Sequence, residues 1–108
     1  MEAARSARVR VVTSTNLDAT AFDALAEGFS ALGDPIRLQV LRLLAGGKCC
    51  VCDLRDEIDI AQNLLSYHLK VLREAGLVTA SRRGRWVDYE LAGPALAALR
   101  SALPEGEA

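Results

Sequence analysis

Cys49, Cys50 and Cys52 stand within four positions of one another and are the only cysteines in the chain. Thiolates are soft ligands. They select soft, thiophilic ions, whereas a zinc or cobalt site usually recruits imidazole or carboxylate as well. An odd, tight cluster of this kind argues for ligands or redox thiols over a structural disulfide framework. Small buried cysteines often do no more than pack, but three in four positions exceed what packing requires. The spacing constrains their geometry. Cys49 and Cys52, at i and i+3, can share one helix face, while Cys50 and Cys52, at i and i+2, point apart. All three converge only if Cys49 and Cys50 lie in an irregular turn before the helix, or if binding unwinds its first turn. The helix N-terminus is expected to favour thiolates.

A second set of side chains follows within a few residues. Leu65, Leu69 and Leu72 form one apolar stripe at helical spacing, and Asn63, Ser66, Tyr67 and Lys70 gather on the opposite side, with Gln62 at their edge. Asn and Gln pair with adenine edges, Ser adapts, and Lys reaches guanine or phosphate. Polar residues on one helix face are ordinarily just solvated, so the neighbourhood must decide. His68, the sole histidine, lies at the shoulder of the apolar stripe, where a hydrogen-bonded partner is the expected role and a metal ligand is not.

The elements that position these groups are legible around them. Val51, Leu54 and Ile58 face a core, which places a short helix at about residues 50–58. Two short helices joined by a tight turn make a helix-turn-helix. Asp59 is a better N-cap candidate than Ala61 for the second of them. Upstream, a helix at about 18–32 carries Phe22, Leu25, Phe29 and Leu32, with Gly28 weakening it by about 1 kcal/mol relative to Ala. The next is capped by Asp34, opened by Pro35 and closed by Gly46 and Gly47; Ile36, Val40, Leu41 and Leu44 form its stripe. Arg37 and Arg42 stay outside or reach phosphate, with a solvated position the expected role.

Gly76 is a natural helix stop. Runs at 77–82 and 85–91 read as strands: Val87, Tyr89 and Leu91 alternate with Asp88 and Glu90, and Arg83-Gly84 supplies the turn. Arg82, Arg83 and Arg85 crowd that tip, which makes the hairpin a wing. A last helix at about 94–103 carries Leu96, Leu99 and Leu103. The predicted fold is mainly α with a β-hairpin wing, a winged helix-turn-helix in the order α-α-α-α-β-β-α. The apolar stripes of the two end helices predict a homodimer, with two reading helices roughly one DNA turn apart.

The 108-residue chain is one domain. Residues 1–16 read as a tail or arm, 17–104 as the DNA-binding and dimerisation domain, and 105–108 as an acidic tail. No apolar run approaches the roughly 20 residues of a membrane span. The N-terminus lacks a signal-peptide block, so no membrane partner and a cytoplasmic location are expected. The net charge of −1 conceals an uneven distribution: residues 62–86 hold five cations and one anion. Local charge sets a phosphate footprint. Double-stranded DNA is therefore the expected partner.

The segments ALGDPIR at 31–37, CVCDL at 50–54 and SYHLKVLREAGLV at 66–78, with GRWVDYEL at 84–91, together resemble the ArsR/SmtB family of metal-responsive repressors. The resemblance covers about residues 20–103. It implies a homodimeric repressor that leaves its operator when an inducer binds. CVCDL resembles the arsenic-responsive branch, whose inducer is As(III) or Sb(III), with no constitutive cofactor and no enzymatic activity. Such ions favour three sulfurs in a pyramid, which names Cys49, Cys50 and Cys52 as the metal set. That branch commonly reads CVCDLC, and here the last position is Arg55, so a third sulfur has to come from Cys49 or be absent. The last helix holds no histidine, so the family's other metal site is not expected there. A thiol-redox or cadmium- or lead-responsive repressor is the alternative within the fold. A thiol-disulfide enzyme built on the Cys49–Cys52 CxxC is the alternative outside it, but no βαβ pattern surrounds the motif.

Overall fold

The computed structural model describes residues 17–106; the predicted arm at 1–16 and the last two residues of the predicted tail lie outside them. The chain forms α1 (Ala19–Leu32), α2 (Pro35–Leu44), β1 (Cys49–Cys50), α3 (Val51–Glu57), α4 (Gln62–Glu74), β2 (Val78–Arg83), β3 (Trp86–Leu91) and α5 (Gly93–Ala102). This is the predicted winged helix-turn-helix with one addition. The cysteine segment is a strand, and the sheet is three-stranded and antiparallel in the order β1-β3-β2.

Local chemistry explains the boundaries. The Asp18 carboxylate accepts from the Ala21 N–H at 2.9 Å to cap α1. Asp34 accepts from the Ile36 and Arg37 N–H groups at 2.7 and 3.2 Å to cap α2, with Pro35 entering the first turn. At the end of α4 the Leu77 N–H reaches the Leu72 carbonyl, and the Gly76 N–H reaches that of Arg73. This is a Schellman closure. Gly76 takes φ +83°, and the fully buried Leu72 and Leu77 supply its hydrophobic contact. The N-cap of α4 is Ala61, without a side-chain bond, and not the expected Asp59; the turn from Ile58 leaves Asp59 outside the helix.

The core is built from Val40, Leu44, Leu54, Ile58, Leu65, Leu69, Leu72, Leu77, Val78 and Leu99, all at most 4% exposed. Each such side chain contributes about 1.5–3 kcal/mol over its exposed state. Leu54 of α3 and Ile58 after it join the core cluster that also holds Leu65, Leu69 and Leu72 of α4, while α3 itself packs on β1 and β3.

The end helices differ from expectation. Leu25 and Leu99 are 4% and 2% exposed and belong to the core of a single chain, as do Ala24, Ala31, Ala95 and Ala98. α1 and α5 pack on each other, and Phe29, Leu32 and Leu96 of the same stripes are partly buried against the core. Phe22 and Leu103 remain outside, at 55% and 57% exposure.

Candidate nucleic-acid interface and thiol site

The outer face of α4 presents Gln62, Asn63, Ser66, Tyr67 and Lys70, all exposed, together with Leu64. The predicted reading face is therefore present as one surface. Gln62 is partly engaged: its Oε1 accepts from Arg55 Nη1 at 2.5 Å, tying the start of α4 to α3. His68 is buried at 6% exposure. Its Nδ1 lies 3.0 Å from Arg37 Nη1; guanidinium can only donate, so Nδ1 is the acceptor. Arg37 Nε also donates to the Ala31 carbonyl at 2.6 Å. Arg37 is thus a half-buried bracket joining the ends of α1 and α2 to the reading helix, and the solvated role read for it from sequence is corrected. The Asp34 carboxylate stands 3.9 Å from the same ring nitrogen. Burial pulls its carboxyl up, but the Arg37 and Ile36 N–H groups and the nearby positive charge outweigh this and hold it below the ordinary value.

The wing pairs Val78 with Leu91 through Arg83 with Trp86. The connecting residues are Gly84 and Arg85, one position later than the predicted Arg83-Gly84. Gly84 has φ +63° and Arg85 does not have positive φ, the demand of a two-residue turn with Gly first. Arg82 and Arg85 are exposed and form no ion pair among the described residues. Arg83 behaves differently from its neighbours. Its Nε donates to Asp88 Oδ2 at 2.8 Å and its Nη2 to Asp88 Oδ1 at 3.0 Å. The period-two reading had put Asp88 outside. It is 5% exposed, because β1 closes one side of its strand and the Arg83 side chain folds over the other. The hydrogen bonds from Arg83 hold its carboxyl below the ordinary range. Arg83 is therefore engaged with a buried carboxylate, whereas Arg82 and Arg85 are not.

The cysteines divide between two sides of a strand. Cys49 pairs with Tyr89 and Cys50 with Asp88, so their side chains point to opposite faces. Cys49 packs against the core, its thiol 3.7 Å from the Gly47 carbonyl. Beside it is a surface depression of about 520 Å³ lined also by Asp53, Asp56 and Glu57. Cys50 is the extended N-cap of α3, with φ −82° and ψ 166°, so the helical rule that separates i from i+2 does not apply to it. Cys52 lies in the first turn of α3, is exposed, and feels the neighbouring Cys50. Among the described residues no three His, Cys, Asp or Glu side chains are gathered as a metal group. Cys50 and Cys52 flank the start of α3, and Cys49 faces the other side of the strand. The expected thiolate-favouring environment is also corrected. Burial pushes the Cys52 thiol above its ordinary value, and the neighbouring Cys50 adds to this; burial and then Asp53 do the same to Cys49.

Neither β1 nor the Arg37 and Arg83 partners left a local signal in the sequence. The one clue available was the acid Asp88 in a hairpin otherwise crowded with arginine. No described helix is long and apolar enough to cross a membrane.

Comparison with known proteins places the chain. Residues 34–80 match the family described as bacterial regulatory protein, arsR family. An uncharacterized HTH-type transcriptional regulator of Methanocaldococcus jannaschii is 45% identical over 69 residues, 63% of this chain and 78% of that protein. The arsenical resistance operon repressor of Bacillus subtilis is 45% identical over 64 residues, 58% of this chain and 61% of that one. The match thus spans about three fifths of the arsenical repressor's length. A homodimeric winged helix-turn-helix DNA-binding domain from Mycobacterium bovis, described as a possible ArsR-family regulator, superposes with TM-score 0.68 at 32% identity, covering 83% of this chain and 85% of that one. With its reading helix, its wing and these similarities, the chain belongs to the ArsR family of DNA-binding transcriptional regulators, which are not enzymes.

Proposed function

We propose that this protein is a homodimeric transcriptional repressor that leaves its operator when arsenite or antimonite bonds to Cys50 and Cys52. The observation that carries the reading is the placement of these two thiols at the junction of β1 and α3, Cys50 as the extended N-cap and Cys52 in the first turn. That junction is linked to both DNA-contacting parts: Leu54 and Ile58 share a core cluster with Leu65, Leu69 and Leu72 of α4, and β1 is paired to the wing strand β3. The similarity to arsenical resistance repressors supports the choice of ion.

The chemistry balances without a redox partner. Each thiol gives its proton to an As–OH group of As(OH)3, water leaves, and an S–As bond forms; two thiols release two waters and leave one As–OH. Cys49 can supply a third sulfur only if β1 turns over and gives up its place beside Tyr89, so the two-sulfur adduct is the ground assignment. Release of DNA requires the ion to bind the DNA-free conformation better, and the antagonism is mutual.

On the DNA side, Asn63, Ser66, Tyr67 and Gln62 meet base edges, while Lys70, Arg82 and Arg85 meet phosphate. The dimer buries Phe22 and Leu103, the apolar residues that the α1–α5 pair leaves uncovered. Titration of purified protein on its own upstream DNA with arsenite, antimonite, cadmium, lead and zinc in parallel tests the reading. Release by arsenite and antimonite at the lowest concentrations is expected; release by zinc alone would contradict it. The neighbouring Cys50 and Cys52 also favour a second reading, a redox repressor switched by a disulfide. Release by oxidant in metal-free buffer, with no response to arsenite, would select it.

A further inference from the structure

Asp88 is a liability in a hairpin that meets DNA. A carboxylate beneath a basic tip lowers the positive charge offered to phosphate, and its burial costs free energy unless it is paired. Yet it is 5% exposed and takes the Nε–Nη2 edge of Arg83 with both of its oxygens, offsetting one cation of the tip. Its place in the sheet gives this arrangement a use. β3 is the central strand, and Asp88 stands opposite Ser81 on β2 and opposite Cys50 on β1. Directly opposed residues in an antiparallel sheet point to the same face, with Cβ atoms about 4.5–5.5 Å apart. One side of the sheet therefore carries Cys50, Asp88 and Arg83 in sequence, with Trp86 paired to Arg83 at the wing end. The charge on Arg83 is held up first by Asp88, and Cys50 and Asp53 also contribute, so the guanidinium and the thiol site share one electrostatic neighbourhood.

We propose that Asp88 is a positioning residue that carries the chemical state of Cys50 to the wing, through the Cys50–Asp88 pair and the two-point Asp88–Arg83 clamp. The proposal rests on the reading of Cys50 as part of the sensor. Drawing Cys50 toward Cys52 displaces β1 along β3. A bidentate carboxylate–guanidinium pair has little tolerance for displacement, so Arg83 loses its seat, and the hairpin tip with Arg82 and Arg85 moves with it. This route runs beside the one through α3 and α4 and acts on the phosphate contacts.

Trp86 is the only tryptophan, is 45% exposed, and reports on the clamp without DNA. In a Cys49→Ser/Cys52→Ser protein, N-ethylmaleimide adds across its double bond to the Cys50 thiol alone. A shift in Trp86 emission is expected, and its loss in the same protein carrying Asp88→Asn, with labelling confirmed by mass. Should Asp88→Asn fail to fold, Arg83→Gln removes the clamp from the other side and is expected to silence Trp86 in the same way. An unchanged Trp86 on labelling, or an equal shift with and without the clamp, would overturn the proposal. A second arm adds arsenite to the three-cysteine protein on DNA. Release of DNA with Trp86 unmoved would overturn the clamp and leave the arsenite reading standing. A Trp86 shift on labelling with no release by arsenite would support the clamp and overturn that reading.

Discussion

Arg37 Nη1 sits 3.0 Å from Nδ1 of the buried His68, so the reading helix is held from behind by a residue of the first turn of α2. Arg37→Ala strands His68 and the Ala31 carbonyl without a partner. A loss of about 1–3 kcal/mol is expected, read as a lower urea midpoint with the slope unchanged. An unaltered midpoint would show that the bracket contributes nothing.

The Asp88–Arg83 clamp makes the fold acid-sensitive. The folded Asp88 carboxyl titrates below its ordinary value because Arg83 hydrogen-bonds the ionised form. The unfolded chain therefore binds the proton first as pH falls. The stabilisation is complete above the unfolded value of about 3.9 and disappears as pH drops through the folded one. Thermal unfolding of the wild type should lose stability below about pH 4 more steeply than Asp88→Asn does. Asp34 adds to the same window, so some slope persists in the variant; equal slopes would remove Asp88 from the account.

Among the wing arginines, Arg82 and Arg85 should act alike and Arg83 should not. Arg82→Ala or Arg85→Ala is expected to weaken binding uniformly across operator variants and flatten the salt slope by about one unit. Both should fold as the wild type does. Arg83→Ala leaves a buried carboxylate unpaired and should lower thermal stability as well. Asn63→Ala or Tyr67→Ala should change preference among base substitutions instead.

How far the sequence reached is seen best in particular residues. Asp34, Pro35 and Gly76 act within a turn of their own positions, and they were legible. So was the division of α4 into Leu65, Leu69 and Leu72 against Asn63, Ser66, Tyr67 and Lys70, because a helix imposes that geometry on its own neighbours. Asp88 was misread because alternation describes one strand and is blind to a side chain folding over from the next. Cys49 and Cys50 become a strand only through partners nearly forty residues away, so nothing local announces β1. The stripe containing Leu25 and Leu99 was visible, but a stripe does not say whether its partner is another helix of the same chain or a second copy.

That distinction changes the assembly test. Leu99→Glu would place a charge in the core of one chain, and loss of binding would follow from unfolding alone. Phe22→Glu and Leu103→Glu act at surface positions. Each is expected to give folded monomers by sedimentation and to lose tight operator binding. Folded dimers with full affinity would place the interface elsewhere.

The central claim is that Cys50 and Cys52 govern DNA release. It is tested most directly by arsenite titration of the operator complex, followed by fluorescence anisotropy, for the wild type and the three single Cys→Ser variants. The wild type should lose about 5–150-fold in affinity, the usual scale of such coupling. Cys50→Ser and Cys52→Ser should bind DNA normally and ignore arsenite, while Cys49→Ser should still release, at a somewhat higher concentration. Release from both Cys50→Ser and Cys52→Ser at the wild-type arsenite concentration would contradict the account.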